Sequence, residues 1–175
     1  MTQRLFFLGI GGIGMSALAR WFHAQGAEVA GYDRNTTSLT QALQKEGIAV
    51  DHSGASTALP QSLQEDIATG NTARWTIVWT PAIPMEFPLL KLLRKSGFAL
   101  QKRSEILGKL SENKPVLAVA GTHGKTTTST LLAHLLQQGG VPVEAFLGGI
   151  ALGEGSNVLM AGRDSEQPWM VAEAD

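Results

Sequence analysis

The sequence predicts an α/β protein in which parallel strands alternate with helices in two successive units. Short apolar runs are each followed by a segment with helical spacing of its apolar residues. Two glycine-rich clusters also stand between such a run and such a segment. This order is typical of parallel sheets with crossover helices. Glycine accounts for 20 of the 175 residues, and its clustering marks the two turns as the places to examine.

The first unit is predicted to span residues 1–111. Its strands are predicted at 5–8, 28–32, 48–50 and 75–80. Its helices are predicted from Met15 to Gly26, from Ser38 to Gly47, within 53–73, over 86–95 and after 103. Ser38 is predicted to cap the second helix, and Ser62 with Glu65 to form a capping box for the third.

The second unit is predicted to span residues 112–175 and to begin after the polar segment 111–115. A strand is predicted over 116–120, followed by a glycine-lysine loop and a helix that ends near Gln138. Further strands are predicted over 143–147 and 169–172.

The composition excludes several classes of protein. The chain has 14 Lys+Arg against 15 Asp+Glu, with 43% hydrophobic and 17% charged residues. It is therefore neither a disordered chain nor a basic nucleic-acid binder. No apolar run is long enough to span a membrane, and cysteine is absent. We expect a cytoplasmic protein without a nucleic-acid or membrane partner; the sequence leaves the oligomeric state open.

The first glycine cluster, Gly9–Gly14, matches G-x-G-x-x-G between a strand and a helix. In that context one glycine makes a tight turn, one lets the backbone approach a diphosphate and one allows close packing. Asp33 ends the second strand, where a carboxylate can accept hydrogen bonds from a ribose. NAD, FAD and UDP-sugars all carry a diphosphate, so this motif alone also fits an NAD-dependent oxidoreductase.

The second cluster, Gly121–Thr128, reads GTHGKTTT and predicts a triphosphate-binding loop. In such a loop backbone N–H groups cradle phosphates, a lysine reaches the terminal phosphates and the next hydroxyl binds Mg²⁺. These roles fall to Lys125 and Thr126. The standard pattern requires a glycine at the position of Val119, so the loop is of a narrower type. A stand-alone P-loop NTPase or kinase is a further alternative, but it leaves the first cluster unexplained.

The two loops together resemble those of the Mur ligase family, whose enzymes build the peptide of bacterial cell-wall precursors. The resemblance covers the whole chain and rests on the segments GIGGIGMSALA, YDR, TPAIP, GTHGKTTT, FLGG and VAEAD. It implies a Rossmann-like parallel-sheet domain that binds a UDP-sugar, followed by the start of a P-loop α/β ATPase domain. It also implies that the chain is a fragment of a three-domain enzyme, folded but inactive alone.

The activity implied by the resemblance is ATP-dependent amide formation with Mg²⁺. The enzyme would join L-alanine to UDP-N-acetylmuramate through an acyl phosphate. A related ligase that adds a peptide to the same UDP-sugar is an alternative. The NAD-dependent oxidoreductase is a second alternative, although it would leave the Gly-Lys-Thr loop without a role.

The resemblance assigns roles to particular residues. The residues implied in UDP-sugar binding are Gly11, Gly12, Ile13, Gly14, Asp33 and His52. The residues implied in ATP binding are Gly121, Thr122, His123, Gly124, Lys125, Thr126 and Thr127. Lys125 is also the implied catalytic residue, and Mg²⁺ is assigned to Thr126 and Glu173.

Three residues keep two interpretations each at this stage. His52 lines the nucleotide cleft or caps a turn. His123 contacts a ligand or stabilises its loop by a hydrogen bond. Arg103 meets a phosphate or forms a surface ion pair.

Overall fold

The computed structural model describes residues 3–149, 156–162, 165 and 167–174. The chain divides into two compact units, Met1–Ile106 and Leu107–Asp175. Both units are α/β structures, which confirms the predicted fold class. The division lies a few residues before 111, and the domain boundary between 111 and 112 stays a prediction.

The first unit contains a five-stranded parallel sheet with the strand order β3-β2-β1-β4-β5. Its strands are β1 (Arg4–Leu8), β2 (Glu28–Tyr32), β3 (Ala49–Asp51), β4 (Trp75–Trp79) and β5 (Ala99–Lys102). Its helices are α1 (Ile13–Ala24), α2 (Ser38–Lys45), α3 (Gln61–Thr69), α4 (Pro88–Lys95) and α5 (Arg103–Ser111), which continues past the division. Two short 3₁₀ turns cover Ser56–Ala58 and Thr72–Arg74.

The core of the first unit surrounds the central strand. Residues 5–8 of β1 are all buried, as a strand covered on both faces requires. Phe6 and Leu8 belong to a cluster with Leu63 of α3 and Leu93 of α4, both fully buried. The helices therefore hold β1 firmly in place, and the turn that follows it starts from a fixed point.

The strand register brings four turns to the same edge of the sheet. Leu8 pairs with Tyr32 and with Trp79, and Trp79 pairs with Lys102. Because these strands are parallel, the residues that follow them leave the sheet at its carboxyl edge. The chain passes from β1 to β2 on one side and returns to β4 on the other. Such a reversal opens a crevice between the two central strands, where α/β proteins bind ligands.

Two predicted helix caps are wrong. Helix α2 is capped by Thr37 rather than Ser38: the Thr37 Oγ1 accepts from the Thr40 N–H at 3.2 Å, and the Thr40 Oγ1 accepts from the Thr37 N–H at 2.9 Å. Helix α3 follows Pro60, and no side chain caps it. The Ser62 hydroxyl donates instead to Glu28 Oε1 at 3.1 Å, because a longer-range carboxylate is within reach.

Strand β5 was not predicted, because Ala-Leu-Gln-Lys contains a single large apolar residue. It lies at the sheet edge with most of its residues partly or fully exposed, and such a strand needs little hydrophobic patterning. The short strand β8 of the second unit was not predicted either.

The second unit is a four-stranded sheet with the order β6-β9-β7-β8, in which only the β7–β8 pair is antiparallel among the described residues. Its elements are β6 (Val116–Val119), α6 (Lys125–Gln138), β7 (Val143–Phe146), β8 (Val158–Leu159) and β9 (Trp169–Glu173). A small core forms between α6 and the sheet around Ala133, Ala145 and Val171. Leu131 and Leu135 of α6 are 56% and 60% exposed.

Within the described residues, we find no helix that combines the length and apolarity needed to cross a bilayer.

Candidate functional site

The first glycine cluster forms a tight turn between β1 and α1. Gly9 has a φ of +87°, and the N–H groups of Gly9 and Ile10 both donate to the Tyr32 carbonyl, at 2.8 and 3.1 Å. Helix α1 then begins after Gly12, which has no side chain to cap it. The first N–H groups of a helix lack partners within the helix and carry a partial positive charge. This turn therefore presents anion-binding backbone to the crevice.

A cleft of about 610 Å³ lies at this edge of the first unit. It is formed by segments that follow β1, β2, β4 and β5, as the register requires. Its lining residues are Gly9, Gly12, Ile13, Gly14, Met15, Tyr32, Asp33, Arg34, Asn35, Thr80, Ala82, Ile83, Pro84, Phe87 and Arg103. The structure thus brings together four of the predicted UDP-sugar residues, namely Gly12, Ile13, Gly14 and Asp33.

One wall of the cleft is apolar and aromatic. Tyr32 and Phe87 stack with ring centroids 4.9 Å apart and an interplanar angle of 25°. Burial raises the pKa of Tyr32 above its ordinary value of 10.0, so this side chain is neutral. Ile83 and Pro84, which follow β4, extend the same wall. Asp33, Arg34 and Arg103 supply the charged part of the lining.

Asp33 is fixed by backbone hydrogen bonds. Its Oδ2 accepts from the Gly11 N–H at 2.8 Å, and its Oδ1 accepts from the Asn35 N–H at 3.0 Å. A Cβ on Gly11 would lie 2.8 Å from that Oδ2, so the close approach requires glycine. Gly11 does not line the cleft, and its N–H serves Asp33. A carboxylate has about four acceptor sites, so Asp33 retains capacity for a ribose hydroxyl.

His52 lies beside Asp33 and is not part of the cleft lining. Its Nδ1 is 2.7 Å from the Asp33 carbonyl oxygen. A carbonyl oxygen only accepts, so this contact requires the proton on Nδ1. The position fits the turn-capping interpretation of His52, and a direct contact with a substrate stays a prediction.

Several residues of the cleft were not predicted from the sequence as ligand contacts. They are Arg34, Asn35, Thr80, Ile83, Pro84 and Phe87. The sequence signal that could have identified them is their position at or after the ends of the predicted strands 28–32 and 75–80. The carboxyl ends of parallel strands meet at one edge, so these segments were candidates for the site.

The second glycine cluster forms a loop between β6 and α6. Gly124 precedes the helix with a φ of +77° and provides no side-chain cap. The Lys125 Nζ donates to the Gly121 carbonyl oxygen at 2.9 Å, so the amine lies over the loop. Thr122 and His123 are exposed, and no hydrogen bond in the described part of the chain decides between the two interpretations of His123. The loop therefore presents the start of α6 and an amine together.

The predicted metal ligands lie around one turn of the second unit. Val119 pairs with Glu173, so the carboxylate stands beside the end of β6. The Glu173 Oε1 accepts from the Gly148 N–H at 2.8 Å and from the Ser129 hydroxyl at 3.2 Å. A Cβ on Gly148 would lie 2.7 Å from that Oε1, and a Cβ on Gly149 would lie 3.1 Å from the Thr126 Cγ2. Glu173 and Thr126 thus both border the Gly148–Gly149 turn.

These residues fit a magnesium ion that is shared with a nucleotide. Mg²⁺ in such sites takes one or two protein ligands together with phosphate oxygens and water. Glu173 supplies a carboxylate and Thr126 a neutral hydroxyl. Among the residues that the structure describes, no group of three or more His, Asp or Glu could hold a metal on its own. A site that depends on phosphate oxygens is consistent with this set.

Comparison with known proteins gives relatives along nearly the whole chain. A relative from Porphyromonas gingivalis (strain ATCC 33277), named UDP-N-acetylmuramate–L-alanine ligase, is 46% identical over 173 residues, which is 99% of this chain and 36% of the relative. A relative of the same name from Cytophaga hutchinsonii is 42% identical over 98% of this chain and 35% of its own length. The chain spans about a third of the length of these relatives.

Solved structures give the same relationship. The UDP-N-acetylmuramate-alanine ligase of Thermotoga maritima superposes with a TM-score of 0.80 at 27% identity, covering 97% of this chain and 37% of that one. A UDP-N-acetylmuramate:L-alanyl-gamma-D-glutamyl-meso-diaminopimelate ligase from Neisseria meningitides gives 0.81 at 25% identity, covering 100% and 53%.

The family described as "Mur ligase family, catalytic domain" matches residues 4–115, more than half of the chain. This match includes the glycine turn after β1 and every strand that contributes to the cleft. With the second loop and the relatives above, it shows that the chain belongs to the Mur ligase family.

Proposed function

We propose that this protein acts in the ATP-dependent joining of L-alanine to UDP-N-acetylmuramate in the cytoplasm. The observation that carries the proposal is the presence of two different anion-binding turns in separate units. One opens a cleft with an acid and two arginines, and the other stands beside a lysine and a held carboxylate. A ligase of this kind needs a site for a UDP-sugar and a site for ATP.

The first unit supports a UDP-sugar site. The aromatic and apolar wall suits a nucleobase, Asp33 suits a ribose, and the start of α1 suits a diphosphate. All three features line the same cleft. Gly12, Ile13 and Gly14 would contact the diphosphate, while Gly11 and His52 would act by holding Asp33 and its turn.

The second unit supports an ATP site. The N–H groups between Gly121 and Thr127 would hold the phosphates, and Lys125 would exchange its bond to the Gly121 carbonyl for phosphate oxygens. Thr126 and Glu173 would hold Mg²⁺, with Gly148 and Ser129 fixing the carboxylate. When bound, Mg²⁺ neutralises charge on the transferred phosphoryl group.

The proposed reaction has two balanced steps. The lactyl carboxylate of UDP-N-acetylmuramate attacks the γ-phosphorus of ATP, and ADP leaves with the electrons of the broken bond. The amine of L-alanine then attacks the acyl phosphate, releasing inorganic phosphate and one proton. Phosphoryl transfer depends on positioning and charge stabilisation more than on covalent catalysis. Lys125 and the loop N–H groups are suited to that task.

A ligase that adds a peptide to UDP-N-acetylmuramate is a second candidate. The observation in its favour is that the Neisseria peptide ligase superposes on this chain as well as the Thermotoga alanine ligase does, with TM-scores of 0.81 and 0.80. The two solved structures are almost equally similar to this chain in sequence, at 27% and 25% identity. The sequence relatives at 42% and 46% identity are named as alanine ligases, which supports L-alanine as the second substrate.

Titration tests the proposal. The 175-residue chain is titrated calorimetrically with UDP-N-acetylmuramate, NAD⁺ and ATP in turn. Binding of the UDP-sugar with displacement by UDP is expected, and NAD⁺ binding that UDP-N-acetylmuramate does not compete with would contradict it. For the whole protein that the gene encodes, phosphate release is measured with L-alanine and with an alanyl-glutamyl-diaminopimelate peptide. Release with L-alanine alone supports the alanine ligase, and release with the peptide supports the peptide ligase.

A further inference from the structure

The cleft of the first unit contains a cationic side chain without a carboxylate partner. Arg103 is the first residue of α5, is half-buried and lines the cleft. Across residues 3–149, 156–162, 165 and 167–174, none of the ion pairs includes it. The surface ion pair that the sequence allowed for Arg103 is therefore not present in this part of the chain.

The two acids closest to Arg103 in the cleft and in the sequence are already bonded to backbone N–H groups. Asp33 accepts from the N–H groups of Gly11 and Asn35. Glu105 Oε2 accepts from the Lys102 N–H at 2.8 Å, a bond that fixes the start of α5. Glu105 thus holds the backbone that carries Arg103 rather than neutralising its charge.

The side chain of Arg103 lies directly against the first turn of α1. A Cβ added to Gly14 would lie 3.0 Å from the Arg103 Cδ and 3.2 Å from its Cζ, and would overlap the guanidinium. A side chain at position 14 would require the Arg103 side chain to move from this position. The third glycine of the motif therefore makes room for an arginine in this protein. A guanidinium and the positive end of a helix meet here, which is unfavourable until an anion joins them.

We propose that Arg103 binds the diphosphate of the UDP-sugar through paired N–H···O bonds. This inference rests on the proposed function of the cleft. Guanidinium N–H groups form a planar fork that matches two phosphate oxygens. Arg34, the other arginine of the lining, is exposed. Arg103 is half-buried and lies against Gly14, and it gives the cleft its preference for a nucleotide over a nucleoside.

The test compares uridine with UDP on the 175-residue chain and its variants. Affinities are measured calorimetrically for the unchanged chain, Arg103→Ala, Arg103→Lys and Arg94→Ala. Arg94 is an exposed arginine of α4 outside this cleft and serves as the matched control. We expect Arg103→Ala to weaken UDP binding about 10- to 100-fold, the range for a charge-assisted hydrogen bond, and uridine binding by less than about twofold. Arg103→Lys should retain part of the UDP preference, and Arg94→Ala all of it.

Three results overturn the inference. Equal UDP affinity in Arg103→Ala and the unchanged chain would show that Arg103 does not bind the diphosphate, and it would leave the proposed function intact. Equal losses for uridine and UDP assign Arg103 a purely structural role. Absence of UDP binding by the unchanged chain removes the proposed function together with this inference. Thermal melting checks that each variant folds, and if Arg103→Ala does not, Arg103→Lys and Arg103→Gln provide the same comparison.

Discussion

The two glycine turns of this chain both connect a strand to a helix, but they differ in backbone conformation and in surroundings: Gly12 is extended, whereas Gly124 has a φ of +77°. Each follows the first strand of its sheet and precedes a helix whose N-cap, Gly12 or Gly124, forms no side-chain cap bond. The first turn contacts an aspartate that follows the adjacent strand β2 and an arginine that follows the edge strand β5. The second meets a glutamate from β9 and its own lysine. A strand-turn-helix element thus supplies a general anion site, and residues at the ends of other strands of the sheet determine which anion it suits.

Helix α2 has the side-chain N-cap that the helices after the two glycine turns lack. Thr37 and Thr40 exchange hydrogen bonds at its start, so its first N–H groups are partly occupied by side chains. A glycine N-cap leaves the same groups to an external acceptor. The absence of a side-chain cap at Gly12 and Gly124 costs some helix stability, which a bound phosphate would restore.

The largest expected effect is on the free energy of unfolding of the first unit, whose core holds the strand before the first glycine turn. Leu93→Ala removes a fully buried side chain from the cluster around β1 and should lower the free energy of unfolding of the first unit by about 2–5 kcal/mol. Leu135→Ala, on α6, truncates a side chain that is 60% exposed and should change the free energy of unfolding of the second unit by no more than about 0.5 kcal/mol. Chemical denaturation of both variants measures the difference. Similar losses would show that the two helices are equally well packed.

The second prediction separates the turns by ligand. Lys125→Ala in the gene-encoded protein should lower kcat for amide formation by about 10²–10³-fold, the loss typical for one donor to a transition-state charge. Affinity for UDP-N-acetylmuramate should stay within about twofold, because Lys125 belongs to the second turn alone. Steady-state kinetics and calorimetry on the same samples provide the two values. A parallel loss of UDP-sugar affinity would contradict the assignment of two sites.

The sequence was sufficient to predict most of what depends on neighbouring residues. The buried strand β1, the glycine turn after it and the GTHGKTTT loop were all identifiable from short segments. Contacts between distant residues were not. Gly11 and Asp33 are 22 residues apart, and the contact of Arg103 with Gly14 depends on β5, a strand with little hydrophobic pattern. A motif gives the backbone geometry, but the side chains that complete the site come from the register of the sheet.

The third prediction tests the contrast between capped and uncapped helices. Thr37→Ala should destabilise the first unit by about 1 kcal/mol, because it removes the acceptor for the Thr40 N–H. Ser38→Ala, one residue later, is the matched control and should have an effect below about 0.5 kcal/mol. Urea denaturation distinguishes them. A larger loss of stability for Ser38→Ala than for Thr37→Ala would show that Ser38 caps α2, as the sequence predicted, and would contradict the Thr37 cap.

The smallest effect concerns the turn after β3, which supports the first cleft. Asp51 ends β3 and accepts from the Ser53 N–H and hydroxyl at 3.0 and 2.8 Å and from the Gly54 N–H at 2.7 Å. A Cβ on Gly54 would lie 3.0 Å from the Phe87 ring and 3.1 Å from the Tyr32 ring. Asp51 therefore anchors the turn that abuts the aromatic wall of the cleft.

Partial burial of Asp51 alone would raise its pKa, but the hydrogen bonds from Ser53, Gly54 and His52 outweigh burial and hold the pKa below its ordinary value of 3.8. A carboxyl whose pKa is lowered by folding stabilises the native state at pH values above about 3.8, and this contribution is lost as the pH falls through the lower, folded value. The Asp51→Asn variant has no ionisable group at this position, so it lacks this pH-dependent stabilisation. The melting temperature of the unchanged chain should therefore exceed that of the variant at pH 6, and the difference should shrink steadily below pH 4. A difference that stays constant from pH 6 to pH 2 would mean that the turn is held by hydrogen-bond geometry rather than by the charge of Asp51.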